Sequence, residues 1–380
     1  MRFRRLPRTF NVALAVFLIS SVIGACGDSL LDVEFENDPV GNFDALWTEF
    51  SRYYALFEVR NVDWDSLYTV YRPLVNENTT DAELYYAMTG LLSHLGDRHV
   101  SLIASGFPEF VSGDDEQRLL FSDSDPDNLM SDISAMFNNA LYGYCDRNYV
   151  NSRKYGLSSY FAAYGTIDIA YTELKVGYAV VNTFSISKDP SDYFDAMTKD
   201  FRDNDGVIVD LRVNGGGSLY VARTLINCFA DTRRAYAVER YRDGGGRNEF
   251  TAPISLFLQP TDNSLKAVPL VVLTSRFTAS ASELFTLGAT TLPLAAVVGD
   301  TTAGLFGTVI RKVLPNGWEF TLSPNLVTAA DGTCYEGFGL PPEIRVLAKR
   351  ADIDAGRDAV IDAAIEILES TVVLDTGDVD

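Results

Sequence analysis

The stretch VPLVVLTSRFTASASELFTLGATT, residues 268–291, carries the fold decision. Its first part, VPLVVLTS (268–275), is a short apolar run rich in β-branched residues, the pattern of a strand buried on both faces. The second part, ASELFTLGATT (281–291), has helical composition, and Glu283 in its first turn suits the positive end of a helix. Working outward, the same alternation recurs. KVGYAVVNTFSI (175–186) precedes a helical DYFDAMTKDFRD, and GVIVDLRV (206–213) runs through NGGGS into a helical LYVARTLINCFA. AAVVGD (295–300) adds a further strand. Strands alternating with helices predict an α/β core with a mostly parallel sheet covered on both faces, over residues 166–350. Two hairpins interrupt it: AYAVERYRDGGGRNEFTAPI, turning at Gly244–Gly246, and RKVLPNGWEFTLS, turning at Asn316–Gly317.

Upstream the period changes. FDALWTEFSRYYALF (43–57) places apolar residues three and four apart, WDSLYTVYRPLV (64–75) follows, and a third helix starts at the capping cluster Thr79-Thr80-Asp81. It is expected to stop at Gly96. Residues 41–103 are therefore expected to form a small helical bundle, and 104–165 an insert or lid of uncertain structure. Residues 351–380 read as a C-terminal helix and acidic tail.

The chain has 380 residues, 47% of them hydrophobic, enough for a full core. A formal net charge of −21 excludes a nucleic-acid partner, which needs basic surface. The N-terminus is different. MRFRRLPR carries four arginines, and no charge occurs from Val12 to Ala25. That run is short of the ~20 apolar residues a spanning helix needs, and reads as a secretory signal over 1–25. It ends in VIGAC, so Cys26 is the expected lipidation site of an exported bacterial lipoprotein, periplasmic or cell-surface, with 26–40 as tether and a lipid anchor in the membrane. Cys145, Cys228 and Cys334 lack CxxC spacing, which argues against zinc; a disulfide would use two of the three. No cofactor and no metal are expected.

Four segments carry candidate chemistry. Ser280 and Ser282 lie where a strand meets a helix N-terminus, whose free N–H groups can hold an oxyanion; equally, they could cap the helix. DLRVNGGGS (210–218) lets backbone approach another group closely, although the lysine of a phosphate loop is missing. LGDRHV (95–100) contains His99; His94 is the other histidine and lies inside the helical run. DGTCYEGFGLPPEI (331–344) sets Glu336 among glycines and prolines.

Together GLLSHLGDRH, VIVDLRVNGGG, LTSRFTASASELF, VVGDTTAG and DGTCYEGFGLPPEI resemble the tail-specific, or C-terminal processing, serine peptidase superfamily. The resemblance runs from about Asn42 to Val346. It implies a spiral core like that of the crotonase and Clp protease group, preceded by a helical domain, and a peptide or protein substrate. It makes Ser280 the nucleophile, with the Ala281 and Gly216 amides as the oxyanion hole. Tail-specific members place a lysine base where this chain has Leu305 and a glutamine where it has Val309. Leucine takes no proton, so the resemblance narrows to the tricorn-core branch, in which His99 would be the general base and Glu336 its orienting carboxylate. That branch has a serine before the histidine; here it is Arg98. Residues 104–165 are few for a PDZ domain and lack its glycine-rich signature. The alternative is a binding module on the same fold, holding an apolar ligand or peptide without turnover.

Overall fold

The computed structural model describes residues 35–113, 120–123, 129–145, 151–153, 162–168, 170–186, 189–243, 246–262 and 264–376. Residues 1–34, with the expected signal and Cys26, lie outside them.

Three helices open the described chain: α1 (Pro39–Tyr53), α2 (Trp64–Tyr71) and α3 (Asp81–Ser93). Asp38 caps α1 by accepting from the Gly41 N–H at 2.6 Å. A capping box starts α3, with Thr80 Oγ1 accepting from Glu83 N and the Glu83 carboxylate accepting from Thr80 N. Gly96, in the left-handed region at φ 58°, turns the chain away after α3. Strands β1 (Ser101–Ile103) and β2 (Phe110–Val111) follow. The helices pack on a shared core that includes Phe43, Leu46, Phe50, Trp64 and Met88, all fully buried.

Next come α4 (Leu129–Asn139), ending in a wide turn over Ala140–Tyr144, then β3 (Asn151–Arg153), β4 (Ala162–Thr166), β5 (Val176–Val181), α5 (Ser191–Phe201) and β6 (Gly206–Asp210). The chain continues through α6 (Leu219–Asn227), β7 (Arg234–Tyr241), β8 (Ile254–Leu258), β9 (Leu270–Thr274), α7 (Ala281–Ala289) and β10 (Ala295–Gly299). It closes with β11 (Ile310–Val313), β12 (Glu319–Leu322), β13 (Asn325–Ala329), β14 (Ile344–Arg345), α8 (Arg350–Asp354) and α9 (Ala359–Thr376). The main sheet runs β14-β10-β9-β6-β5-β4-β3. It is parallel from β14 to β5 and antiparallel at β4 and β3.

Alternate side chains of the central strands serve two cores. Val207, Val209, Leu270 and Val272 join the core with α5, α6 and α7. Ile208, Val271 and Leu273 join the one containing Met136 of α4 and Ile361, Ile365 and Leu368 of α9. Each such side chain contributes about 1.5–3 kcal/mol on burial, which explains why these strands read as unbroken apolar runs. A buried ion network pins the sheet to the C-terminal helix: Arg212 donates to Asp210 and to Asp358, and Tyr178 donates to Asp210 at 2.6 Å.

The hairpin β11–β12 does not join the main sheet. It pairs with β1, in a second sheet of order β11-β12-β1-β2, and places Leu314, Trp318, Phe320 and Leu322 in the core of the helical region. Phe320 stacks on Phe50 with ring centroids 5.6 Å apart. The chain therefore returns to the helices late in the sequence, bringing Ser323 beside residues 97–99.

Candidate active site

The turn from β9 into α7 is stitched to the end of β6. Thr278 Oγ1 donates to the Leu211 carbonyl at 2.9 Å, Ser275 Oγ to the Arg212 carbonyl, and the Ala279 amide to the Asn214 carbonyl at 3.1 Å. At its apex Ser280 has φ 57° and ψ −121°, a conformation disfavoured for any side chain. Such strain costs about 1–3 kcal/mol and persists only where the surroundings enforce it. Glu283 supplies much of that enforcement. Fully buried, its carboxylate accepts from the amides of Ser280 (3.0 Å), Gly304 (2.7 Å) and Leu305 (2.8 Å) and from the Thr302 hydroxyl (2.6 Å). Burial pushes the Glu283 carboxyl up to about 7, against four donors that favour its charged form.

The two serines are now distinguishable. Ser280 is half-buried, whereas Ser282 is fully buried with an Oγ that meets no hydrogen-bond partner among the described residues. Only Ser280 is open to an incoming carbonyl. Its neighbour Ala281 is the first residue of α7, so the Ala281 N–H lacks an intrahelical acceptor. Gly216, at φ 101°, lies tight against the turn: a Cβ there would sit 2.7 Å from both the Ala279 oxygen and Ser280 Cβ. Its amide, an expected oxyanion donor, is already given to Asn214 Oδ1 at 2.9 Å. Asn214 also donates to the Val181 carbonyl, so its side chain is held across the loop. In this arrangement Gly216 supplies room for Ser280, and the Ala281 amide supplies the open donor.

His99 lies in the bend between α3 and β1. It is half-buried, its backbone N–H donates to Asp97 Oδ1 at 2.9 Å, and its carbonyl accepts from Thr321 Oγ1 at 2.7 Å. Ring atom Nδ1 lies 3.4 Å from Ser323 Oγ. Burial lowers the His99 pKa below 6.5, partly opposed by the negative charge of Asp97, so the imidazole is neutral and basic at neutral pH. Among the described residues no hydrogen bond joins His99 to Ser280.

Glu336 is not bonded to His99 either, contrary to the sequence-based expectation. Both of its oxygens are otherwise engaged. Oε1 accepts from Arg60 at 2.8 Å, and Oε2 from the amides of Phe306 (2.7 Å) and Gly307 (3.1 Å). Arg60, in the loop between α1 and α2, also donates to the Gly96 carbonyl at 2.8 Å and lies 3.9 Å from Asp97. Burial and the nearby Asp97 raise the Glu336 pKa, opposed by Arg60. Asp97 is fully buried and also accepts from Tyr54 (3.0 Å) and Ser323 (3.3 Å). The carboxylate beside His99 is thus Asp97, and Glu336 is an arginine-paired clamp on the loop 304–307.

Arg60, Asp97 and Ser323 were not anticipated. Asp97 had a faint local signal in its place next to the histidine bend; Arg60 and Ser323 had none, because their partners are distant in sequence. Leu305 is buried, and the amide of that residue, not its side chain, meets Glu283. Among the described residues no cluster of His, Cys, Asp or Glu is arranged to hold a metal ion. Cys145, Cys228 and Cys334 are free thiols.

The profile of peptidase family S41 matches residues 175–346, and that of the tricorn protease C1 domain matches residues 35–93. The carboxy-terminal processing protease CtpA of Bacillus subtilis is 26% identical over 185 residues, covering 47% of this chain and 37% of that protein. The chain thus spans little more than a third of that curated relative. The crystal structure of a Parabacteroides merdae protein classed as a peptidase superposes with TM-score 0.72 at 29% identity, covering 88% of this chain and 97% of that one. The tricorn protease shares the fold, at TM-score 0.51 and 16% identity, over 88% of this chain and 37% of its own.

Proposed function

This chain belongs to the C-terminal processing peptidase family, S41, and from that premise we propose that it is a serine-type endopeptidase acting on peptide or protein substrates through an acyl-enzyme. Ser280 Oγ attacks the peptide carbonyl while His99 takes its proton. The tetrahedral oxyanion is bound by the Ala281 N–H at the start of α7, the leaving amine receives the proton from His99, and water then resolves the ester. Proton transfer requires His99 to close to hydrogen-bond distance of Ser280. Glu336 acts at one remove: it holds the loop 304–307 against Arg60.

The single observation that carries this reading is Ser280 itself, held at positive φ on a strand-to-helix turn beside an open helix amide, with Ser282 sealed in the core. A fluorophosphonate probe should label the wild-type chain and Ser282→Ala, but not Ser280→Ala; labelling of Ser280→Ala at the wild-type rate would sink the assignment. Peptide binding without turnover of a casein or peptide library would instead favour the binding module.

We further infer export and lipid anchoring, on the support of the arginine-rich start, the uncharged run and VIGAC. Incorporation of labelled palmitate should be lost in Cys26→Ser, and unchanged incorporation would reject Cys26 as the anchor.

A further inference from the structure

We propose that Ser323, at the end of β12, is a positioning residue for His99, holding its tautomer by relaying the Nδ1–H to the buried carboxylate of Asp97. The proposal rests on His99 being the base. Ser323 Oγ lies 3.4 Å from His99 Nδ1 and 3.3 Å from Asp97 Oδ2, and Ser323 is fully buried. Both contacts are long, as such bonds often are before a substrate tightens the site.

The direction of the relay follows from what each group can do. Asp97 is ringed by donors: Tyr54 OH and Ser323 Oγ on Oδ2, the His99 amide on Oδ1, and the Arg60 guanidinium 3.9 Å away. It therefore acts as an acceptor. A hydroxyl has one proton and two lone pairs. With its proton given to Asp97, Ser323 Oγ offers Nδ1 only a lone pair. Nδ1 must then carry the imidazole proton, and Nε2 keeps the free lone pair a general base needs. When Nε2 takes the Ser280 proton, the positive charge is met along Nδ1–H to Ser323 Oγ to Asp97, and no second proton moves.

The surroundings fix Ser323 as firmly as the nucleophile turn fixes Ser280. Its carbonyl accepts from the Ala55 amide at 2.9 Å. Two residues earlier, Thr321 pairs with Ser101 in the β1–β12 register and donates to the His99 carbonyl. The hairpin thus grips both the backbone and the ring of His99. A buried hydroxyl on a strand end is costly unless it is bonded, and these two bonds are its side-chain partners.

The test uses the full chain with 15N-labelled histidine; because His94 and His99 are the only histidines, a His94→Gln variant leaves one ring to read. At neutral pH the wild-type His99 is expected as the Nδ1–H tautomer. An Nε2–H tautomer overturns the proposal without any change at Ser323. In Ser323→Ala, kcat is expected to fall about 10- to 100-fold, part of the ~10²–10⁴ a general base supplies, with KM little changed. The acid limb of the pH–rate profile should move to lower pH, since the imidazolium has lost its partner. Ser323→Thr, which keeps the hydroxyl, should restore most of the rate and the limb. An unshifted limb and unchanged tautomer in Ser323→Ala would reject the relay while leaving His99 as base. Full activity in His99→Ala would reject the base, and the relay with it.

Discussion

The turn around Ser280 and the bend around His99 are built in opposite ways. The nucleophile turn is made within the α/β core, at the ends of the adjacent strands β6 and β9, and is locked by hydrogen bonds involving Glu283, Thr278 and Asn214. The histidine bend is assembled between three distant segments: the α1–α2 loop with Arg60, the residues after α3, and the end of the β12 strand. Among the described residues its ring meets one long contact, to Ser323. The contrast separates two tasks. A strained serine needs rigid support, whereas a base that must approach its partner benefits from a lighter hold.

The largest expected effect is at Arg60, which ties the two regions together. Arg60→Ala leaves Glu336 buried without its cation, and should cost about 3–5 kcal/mol of stability, read as a lowered midpoint in urea unfolding. A loss below 1 kcal/mol would mean that the clamp is not a junction. Gly216→Ala comes next. Its Cβ would meet Ser280 Cβ and the Ala279 oxygen at 2.7 Å, so kcat should fall on the order of 100-fold by misplacement of the nucleophile, with His99 unaffected by NMR. A variant with full activity would show that the turn is not rigid.

A smaller effect sharpens the other side. The rate needs neutral His99, and its pKa is lowered from 6.5, so activity should hold as pH falls through 6.5 and be lost only below it. Because the charge of Asp97 partly opposes the lowering, Asp97→Asn should move the limb further down. A wild-type midpoint above 6.5 would contradict the neutral base. The smallest effect belongs to Ser282. Its hydroxyl is buried and, among the described residues, unpartnered, so Ser282→Ala should not lower stability and should raise it by about 1 kcal/mol at most, leaving peptide turnover near wild type.

Much of the α/β core was legible because its signals are local. VPLVVLTS, GVIVDLRV and KVGYAVVNTFSI each announce a strand through a run of β-branched residues, and β9, β6 and β5 form there. The cluster Thr79-Thr80-Asp81 announces a helix start, and Thr80 caps α3 there. The β11–β12 hairpin was legible as a hairpin, but its docking onto the helices was not. An amphipathic ribbon shows which face is apolar, not which core receives it. The partner of Glu336 was hidden for a similar reason: a carboxylate among glycines marks a special turn, but the cation that neutralises it lies 276 residues away.

The sequence alone determined the alternation of strands and helices, the helical start, the strand-end serines and the absence of a lysine at Leu305, because propensity, periodicity and side-chain chemistry belong to each segment. Tertiary structure alone decided that Ser282 is sealed and Ser280 open, and that Glu336 pairs with Arg60. Burial and hydrogen-bond partnership are properties of surfaces brought together, and no single stretch of chain contains them.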